Sequence, residues 1–353
     1  MSAVRITAIG AIPYGLPLRE PVVWGGEAHG RRHGLLVRAE GEGVVGWGDA
    51  APLPGFSAET LDEVEAQLAD LAATLRGRAF APSDLLPGGA VDRALAVLDP
   101  APSTRFGIDL AFADLAAQAL GRTLPQALHP DPAVTLRLNG LVMGTGESAA
   151  ASARALAEAG YPAVKVKVGR QGVDDDVGLV AGVRAALPDA VALRLDANRA
   201  WDWDTAVRWA EGVEGLAIDY VEEPLAEPDR LPELWHDTGL PLAVDESVQE
   251  GREIRGWASA AVLKPTLVGG LSATLRLAAE ARAVGVRPVL SAAFESGVGL
   301  RGIAALAAAT GAEPAGLDTY RWLRADVTGP LPFDRPSIDV PALFAAPLEI
   351  ALP

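Results

Sequence analysis

Cysteine is absent from this 353-residue chain, and histidine occurs only four times. Without cysteine there can be no disulfide, no thiolate nucleophile and no thiolate metal ligand. A chain without disulfides fits a reducing compartment, so we expect a cytoplasmic protein. Histidine chemistry is also disfavoured, because none of the four histidines falls at the end of a strand predicted within residues 134–319.

Long apolar runs and basic clusters are missing as well. No uninterrupted apolar segment reaches the roughly 18 residues that indicate a membrane-spanning helix, and the N-terminus lacks the basic-then-apolar order of a signal peptide. The formal net charge is -16 at pH 7, and the basic residues are dispersed. These features argue against nucleic acid or a membrane as a partner. They leave the oligomeric state open.

The middle of the chain contains five short apolar segments that become charged near their C-terminal ends. In the first segment, residues 163–169, valines alternate with Lys165 and Lys167, which is the two-residue period of a β-strand. The later segments carry their charges at Asp196, at Glu222 and Glu223, at Asp245 and Glu246, and at Lys264. Successive charged ends lie about 19 to 29 residues apart, which is roughly one strand–helix unit of a barrel.

This spacing predicts an α/β fold of the (β/α)8 type, a modified TIM barrel with parallel strands. The first barrel strand is predicted at 134–142 and a short eighth strand at 315–319. A doubly wound sheet would also alternate strands and helices, but the count reaches about eight units and the charged ends converge. No glycine-rich loop follows the first strand, so a dinucleotide site has no support.

The chain is long enough for a barrel of about 250 residues and a second, smaller domain. We expect an α+β capping domain over residues 1–104 and the catalytic barrel over residues 105–319. Residues 320–353 are predicted to form a C-terminal tail that returns to the capping domain.

Local patterns predict further elements inside these domains. Strands are expected at 4–12, 32–39 and 44–47, and Ser57 is expected to cap a helix at 58–75. A helix at 250–257 is expected between the strands that carry Asp245 and Lys264.

Three acids from consecutive strands, Asp196, Glu222 and Asp245, would converge at the barrel mouth. Converging carboxylates repel one another and lose hydration, so they need a compensating cation. Oxygen ligands in a chain without cysteine favour Mg²⁺, with Mn²⁺ as the alternative.

Lys167 and Lys264 would lie on opposite sides of the ring, because they belong to the second and sixth of eight strands. One amine could take a proton from a substrate while the other steadies negative charge, with Lys165 as electrostatic support. Such a set suits an enediolate, so a small-molecule carboxylate is the expected substrate. Taken alone, the paired lysines also fit a solvent-facing sheet edge, and Lys264 also fits a structural ion pair.

Eight motifs spread over nearly the whole chain resemble the enolase superfamily, whose plan combines a lysine base, Mg²⁺ and an enediolate. The motifs are PLPGFS (52–57), KVKVG (165–169), RLDANRAW (194–201), EEP (222–224), DES (245–247), LKPTLVGG (263–270), SAAFES (291–296) and GLDT (316–319). Together and in this order they are highly specific for the superfamily.

The resemblance implies a role for each residue of the predicted site. Asp196, Glu222 and Asp245 would bind Mg²⁺, Lys167 would be the base, and Lys264 would remain a cation beside the substrate. Residues implied or expected to contact the substrate are Arg194, Asn198, Ser291 and Gly316.

The resemblance also implies a reaction, because the flanking motifs are most similar to those of a dehydratase of menaquinone biosynthesis. Such a carbon–oxygen lyase removes water from 2-succinyl-6-hydroxy-2,4-cyclohexadiene-1-carboxylate in a syn elimination and forms 2-succinylbenzoate. Loops near 24–33 and 52–56 would cover the substrate.

The same lysine–metal plan serves racemases, so an N-succinylamino acid or other N-acylamino acid racemase, or a bifunctional enzyme, is the alternative. A dipeptide epimerase is disfavoured, because Asp318 lacks the acidic neighbour expected in the last strand region. A non-catalytic metal-binding barrel is a remote alternative, because both opposed lysines and all three acids are present.

Overall fold

A computed structural model of the chain describes residues 3–312, 314–333, 336–345 and 348–351. The strands are β1 (Val4–Trp24), β2 (Glu27–Gly41), β3 (Val44–Ala50), β4 (Ala79–Phe80), β5 (Thr135–Arg137), β6 (Asn139–Leu141), β7 (Ala163–Lys167), β8 (Ala192–Asp196), β9 (Tyr220–Glu222), β10 (Leu242–Val244), β11 (Ala260–Leu263), β12 (Arg287–Leu290) and β13 (Ser337–Asp339). The helices are α1 (Leu61–Leu75), α2 (Ala90–Leu98), α3 (Pro102–Ala119), α4 (Leu124–Leu128), α5 (Gly146–Glu158), α6 (Val173–Ala186), α7 (Trp203–Gly212), α8 (Leu231–Thr238), α9 (Glu246–Gln249), α10 (Pro265–Val268), α11 (Gly270–Ala283), α12 (Gly297–Thr310) and α13 (Val340–Ala345).

The N-terminal sheet is antiparallel and has the strand order β3-β2-β1-β4. Its strands run longer than predicted: β1 and β2 form one hairpin in which Trp24 pairs with Glu27 beside the turn. The length matters for function, because the end of β1 next to the turn, residues 20–24, lines the cavity at the mouth of the barrel.

The predicted cap of the first helix at Ser57 is wrong. Helix α1 begins at Leu61, and Thr60 is its N-cap. The Glu63 amide donates to the Thr60 hydroxyl (3.3 Å), and the Thr60 amide donates to the Glu63 carboxylate (2.7 Å). The Ser57 hydroxyl is engaged elsewhere, because it accepts a hydrogen bond from the Leu53 amide (2.9 Å) within the preceding turn.

Seven parallel strands in the order β6-β7-β8-β9-β10-β11-β12 form the barrel wall. The predicted eighth strand is reduced to two bridges that close the ring: Ala315 pairs with Leu138, and Gly316 pairs with Ser291. The prediction of a modified (β/α)8 barrel with an N-terminal capping domain is therefore confirmed.

Two predicted elements of the barrel differ in the structure. The strand predicted at 134–142 is divided into β5, which pairs antiparallel with β13, and β6, which enters the barrel. The helix predicted at 250–257 is wrong, because a single turn, α9, connects β10 to β11. Gly251 and Gly256 make the 250–257 segment a poor helix former.

Helix α3 lies between the two parts of the molecule and is buried on most of its surface. It packs on β3 of the N-terminal sheet and on α10 and α11 of the barrel. Downstream of residue 320 the chain contacts both parts: Leu323 bridges to Leu18 of β1, whereas β13 pairs with β5. The domain boundaries themselves stay a prediction.

No helix within the described part of the chain combines the length and apolar character needed to cross a membrane.

Candidate active site

A cavity of about 380 Å³ lies between the C-terminal ends of the barrel strands and the N-terminal sheet. Its volume falls in the range of small-molecule sites. The predicted site residues that line it are Lys165, Lys167, Arg194, Asp196, Asn198, Glu222, Lys264, Ser291 and Gly316. Asp245 lies just behind this surface and pairs with Lys264.

Lys165 lies at the centre of the acid cluster. Its ammonium nitrogen is 2.7 Å from a carboxylate oxygen of Glu222 and 2.8 Å from one of Asp196. The strand register explains the contact, because β8 lies between β7 and β9 and pairs Lys165 with Arg194 and Asp196 with Glu222.

Lys167 and Lys264 approach the cavity from opposite sides. Lys167 lies at the end of β7, with its Nζ 2.6 Å from Asp196 and in contact with the Asn198 side-chain oxygen. Lys264 directly follows β11 and forms an ion pair with Asp245. Since β7 and β11 are four positions apart in the ring, the two ammonium groups face each other across the cavity.

Burial and mutual charge set the protonation preferences in this cluster. Burial lowers the pKa of Lys165, but the carboxylates of Asp196 and Glu222 outweigh it and hold that pKa well above its ordinary value. Burial and then repulsion from Asp196 raise the pKa of Glu222. Burial would also raise the pKa of Asp196, yet Lys165 and Lys167 hold it well below its ordinary value.

The three acids suit a hard divalent cation in residue type and burial, because Asp196, Glu222 and Asp245 are all at most 1 % exposed. Burial alone would raise the pKa of Asp245, but the Lys264 ammonium helps to hold that pKa below its ordinary value. Among the described residues, no group of three or more acid or histidine side chains already has a metal-binding arrangement. Lysine ammonium groups contact each of the three acids and supply the compensating charge.

Glu223 holds the chain beside the predicted metal ligand Asp245. Its carboxylate accepts hydrogen bonds from the backbone amides of Asp245 (2.9 Å) and Ser247 (2.8 Å), and it pairs with Arg199 (3.2 Å). Glu223 is fully buried and has a φ of +41°. This acid therefore fixes the backbone around Asp245.

Arg194 lines the cavity but is held from several directions. Its guanidinium pairs with Asp219 (3.1 Å) and donates to the Pro314 carbonyl (2.9 Å) and the Asn139 side chain (3.3 Å). The residue is only 1 % exposed. These contacts tie three parts of the barrel wall together, and a substrate-binding role for Arg194 stays a prediction.

Ser291 and Gly316 pair with each other where they line the cavity, and their contact with the substrate stays a prediction. A Cβ atom at position 316 would lie 2.6 Å from the Ser291 hydroxyl, so a larger residue there would force the Ser291 side chain to move. Asn198 also lines the cavity, where its amide group donates to Glu246 (2.9 Å).

Several cavity residues were missed by the sequence analysis. Glu20, Val23, Met143, Arg170 and Trp322 all line the cavity. The available signal was positional: Met143 and Arg170 lie in the loops that follow β6 and β7, where barrel enzymes carry their functional residues. Trp24, Leu53 and Phe56 lie within the two loops that were expected to cover the substrate, and they too line the cavity.

Two family models match the chain. Residues 148–344 match the model described as "Enolase C-terminal domain-like", and residues 9–115 match "MenC, N-terminal domain". The o-succinylbenzoate synthase of Pectobacterium atrosepticum is 35% identical over 322 residues, which cover 89% of this chain and 90% of the relative.

The chain belongs to the o-succinylbenzoate synthase family of the enolase superfamily. The predicted family is thus confirmed, and with it the prediction that the chain is an enzyme. Members of this superfamily bind a divalent metal, which agrees with the acid cluster at the barrel mouth.

Solved structures extend the comparison of the fold. The N-succinyl Arg/Lys racemase of Bacillus cereus superposes with a TM-score of 0.86 at 23% identity. The match covers 98% of this chain and 96% of the racemase chain. The dipeptide epimerase of Enterococcus faecalis, solved with Mg and a dipeptide, has a TM-score of 0.81 at 22% identity, with coverage of 99% and 98%. At these identities the likeness concerns the fold.

Proposed function

We propose that this enzyme removes water from 2-succinyl-6-hydroxy-2,4-cyclohexadiene-1-carboxylate and releases 2-succinylbenzoate. The observation that carries the proposal is the placement of Lys167 and Lys264 on opposite sides of one cavity, with three buried acids beside them. Membership of the o-succinylbenzoate synthase family supports this substrate over other carboxylates.

The acids Asp196, Glu222 and Asp245 would hold a divalent cation, for which Mg²⁺ is our proposal. A bound Mg²⁺ supplies positive charge for the substrate carboxylate, which becomes more negative when the neighbouring carbon loses its proton. Glu223 would support the site by holding the backbone of Asp245 through its hydrogen bonds.

In the proposed reaction the Nζ atom of Lys167, in its neutral form, takes the ring proton from the carbon beside the carboxylate. The C–H electron pair moves into the carboxylate and forms an enediolate, and the Lys264 ammonium on the opposite side stabilises this charge. Lys165, held between Glu222 and Asp196, adds fixed positive charge at the same end.

In the second step the electron pair returns to the ring, the C–O bond breaks, and Lys167 delivers its proton to the departing hydroxyl on the same face. One hydrogen and one hydroxyl leave as water, and no oxidant or reductant is needed. Aromatisation of the ring drives the reaction, so the enzyme mainly has to stabilise the intermediate.

The same pair of lysines favours one further candidate, the racemisation of N-succinylamino acids. Racemisation needs one group on each face of the α-carbon, and Lys167 and Lys264 supply these groups.

The absence of cysteine supports a cytoplasmic location for either activity.

The test follows the ultraviolet absorbance of the cyclohexadiene substrate with purified enzyme, first with Mg²⁺ and then with EDTA. Metal-dependent conversion at about 1–10³ s⁻¹, the usual range of enzymes, is the expected result. If no conversion occurs with Mg²⁺, the dehydratase proposal fails. N-succinylamino acids in D₂O, analysed for α-deuterium exchange, then test the racemase.

A further inference from the structure

Only one of the cationic residues that line the described part of the cavity lacks an internal partner. Lys165, Lys167 and Lys264 pair with the acids of the site, and Arg194 pairs with Asp219. Arg170 is exposed and forms no hydrogen bond or ion pair with any described residue.

The backbone next to Arg170 is held firmly in place. The preceding Gly169 amide donates to the Asp176 carboxylate (2.6 Å), and Asp176 is fully buried. Gly169 has a φ of +77°, and a Cβ there would lie 2.5 Å from the Cβ of Ala200. The loop that carries Arg170 is therefore packed directly onto the end of β8, beside the acid cluster.

The acids that line the cavity are mostly neutralised already. Asp196 and Glu222 contact lysines, and Asp318 is 3.1 Å from the Arg321 guanidinium and accepts from the Tyr161 hydroxyl (3.0 Å). Asp318 is 4 % exposed, so it is poorly placed to attract a cationic substrate. This charge arrangement leaves Arg170 as the cavity cation that can pair with an anionic group of a ligand.

We propose that Arg170 binds the distal carboxylate of the substrate, the one at the end of the succinyl chain. The inference rests on the proposed function, because the substrate of that reaction is a dicarboxylate. One carboxylate belongs beside Lys165 and the three acids. The second can be held by a cation of its own, because a guanidinium binds a carboxylate with two parallel hydrogen bonds.

Glu20 is the other exposed charged residue of the cavity, and it also has no partner among the described residues. Its negative charge would repel the succinyl carboxylate or compete for Arg170. Removal of this charge in Glu20→Gln should therefore leave KM unchanged or lower it, whereas removal of the Arg170 charge should raise KM.

The experiment compares the wild type with Arg170→Met, Arg170→Lys, Glu20→Gln and the control Arg154→Met. Arg154 is an exposed arginine on α5 that does not line the cavity. For Arg170→Met we expect KM to rise about 5- to 20-fold with kcat within about threefold, as for loss of a charged hydrogen bond far from the reacting carbon. Arg170→Lys should recover part of the loss, and Arg154→Met should match the wild type.

A binding measurement separates recognition from folding. Calorimetry would compare 2-succinylbenzoate with 2-butanoylbenzoate, which has the same carbon chain without the distal carboxylate. The wild type should prefer the dicarboxylate by about 5-fold or more, with a preference that weakens at high salt, and Arg170→Met should lose this preference.

The outcomes separate the two proposals. If the wild type turns over the substrate but Arg170→Met keeps both the KM and the preference for 2-succinylbenzoate, the Arg170 inference is overturned and the dehydratase proposal stands. If the wild type neither turns over the substrate nor binds 2-succinylbenzoate, both proposals are overturned.

Discussion

Two buried polar clusters in this molecule are each built around buried carboxylates but differ in the groups that surround those carboxylates. The lysine–acid cluster consists of Lys165, Lys167, Asp196, Glu222, Asp245 and Lys264 at the mouth of the barrel. The seam cluster consists of Tyr14, Asp49 and Ser296, and it joins the N-terminal sheet to the start of α12.

In the seam cluster both carboxylate oxygens of Asp49 are occupied. One accepts from the Tyr14 hydroxyl (2.7 Å), and the other accepts from the Ser296 amide (2.9 Å) and hydroxyl (2.7 Å). No part of Asp49 is exposed, whereas the Lys167 side chain in the other cluster is 32% exposed to the cavity. A buried carboxylate whose hydrogen-bond donors are all neutral serves the fold, while carboxylates balanced by reachable cations can serve chemistry.

The largest expected effect on kcat comes from loss of Lys264, which lies across the cavity from the proposed base Lys167. In Lys264→Ala we expect kcat to fall about 10³-fold or more, because the variant loses the cation that faces the developing negative charge. Steady-state turnover measures this loss, with far-ultraviolet circular dichroism as the control for folding. A folded variant with kcat within tenfold of the wild type would remove Lys264 from the mechanism.

Glu223→Gln tests how far the lysine–acid cluster depends on its supporting residues. The glutamine keeps the oxygen that accepts from the Asp245 and Ser247 amides, but it loses the charge and the second oxygen that hold Arg199 and the Ser247 hydroxyl. We expect Mg²⁺ affinity to fall about 10- to 100-fold, the usual effect of a residue that positions a metal ligand. Titration calorimetry with Mg²⁺ measures it, and an unchanged affinity would mean that Asp245 needs no such support.

Asp49→Ala should lower the stability of the protein and leave its turnover nearly unchanged. The substitution leaves the Tyr14 hydroxyl and the Ser296 amide buried without an acceptor, so we expect the free energy of unfolding to fall by about 3 kcal/mol. Turnover per folded molecule should stay within about threefold of the wild type. Urea unfolding and active-site assays on the same samples make the test. A variant of normal stability with lost turnover would contradict the assigned role of the seam cluster.

Asp114 offers the smallest expected effect, and it depends on pH. This acid accepts from the Trp47 amide (3.0 Å), and burial raises its pKa from 3.8 to about 6. The folded state therefore prefers the protonated acid, and the stability contributed by that proton is lost as the pH rises from about 4 through about 6.

Asparagine at position 114 does not titrate, so Asp114→Asn should gain stability relative to the wild type as the pH rises. We expect a relative gain of about 1 kcal/mol between pH 5 and pH 8, after discounting for the partial exposure of the side chain. Urea unfolding of both proteins at the two pH values measures it. The same stability difference at both values would show that Asp114 does not titrate in this range.

The sequence predicted the lysine–acid cluster because its members obey a local rule. All except Lys165, the middle residue of β7, lie at or just after the end of a strand, and the strand spacing places those ends at the same edge of a parallel barrel. The roles of Lys167 and Lys264 and of the three acids were carried over from the motifs and stay predictions until they are tested.

No such rule marks the seam cluster. Asp49 and Ser296 are 247 residues apart, and nothing near either residue predicts the partner. The Ser57 cap failed for a related reason, because a competing contact with the Leu53 amide decided the position of the helix start. Arg170 was missed since an exposed arginine in a loop becomes informative only when the partners of the other cavity cations are known.

The most direct test of the account measures turnover of 2-succinyl-6-hydroxy-2,4-cyclohexadiene-1-carboxylate by the wild type and by Lys167→Ala at saturating Mg²⁺. We expect conversion by the wild type and a kcat at least about 10³-fold lower for the variant, since Lys167 handles the proton in both steps. The circular dichroism spectrum should be unchanged. A folded Lys167→Ala enzyme that converts the substrate within tenfold of the wild-type rate would show that Lys167 is not the base of this reaction.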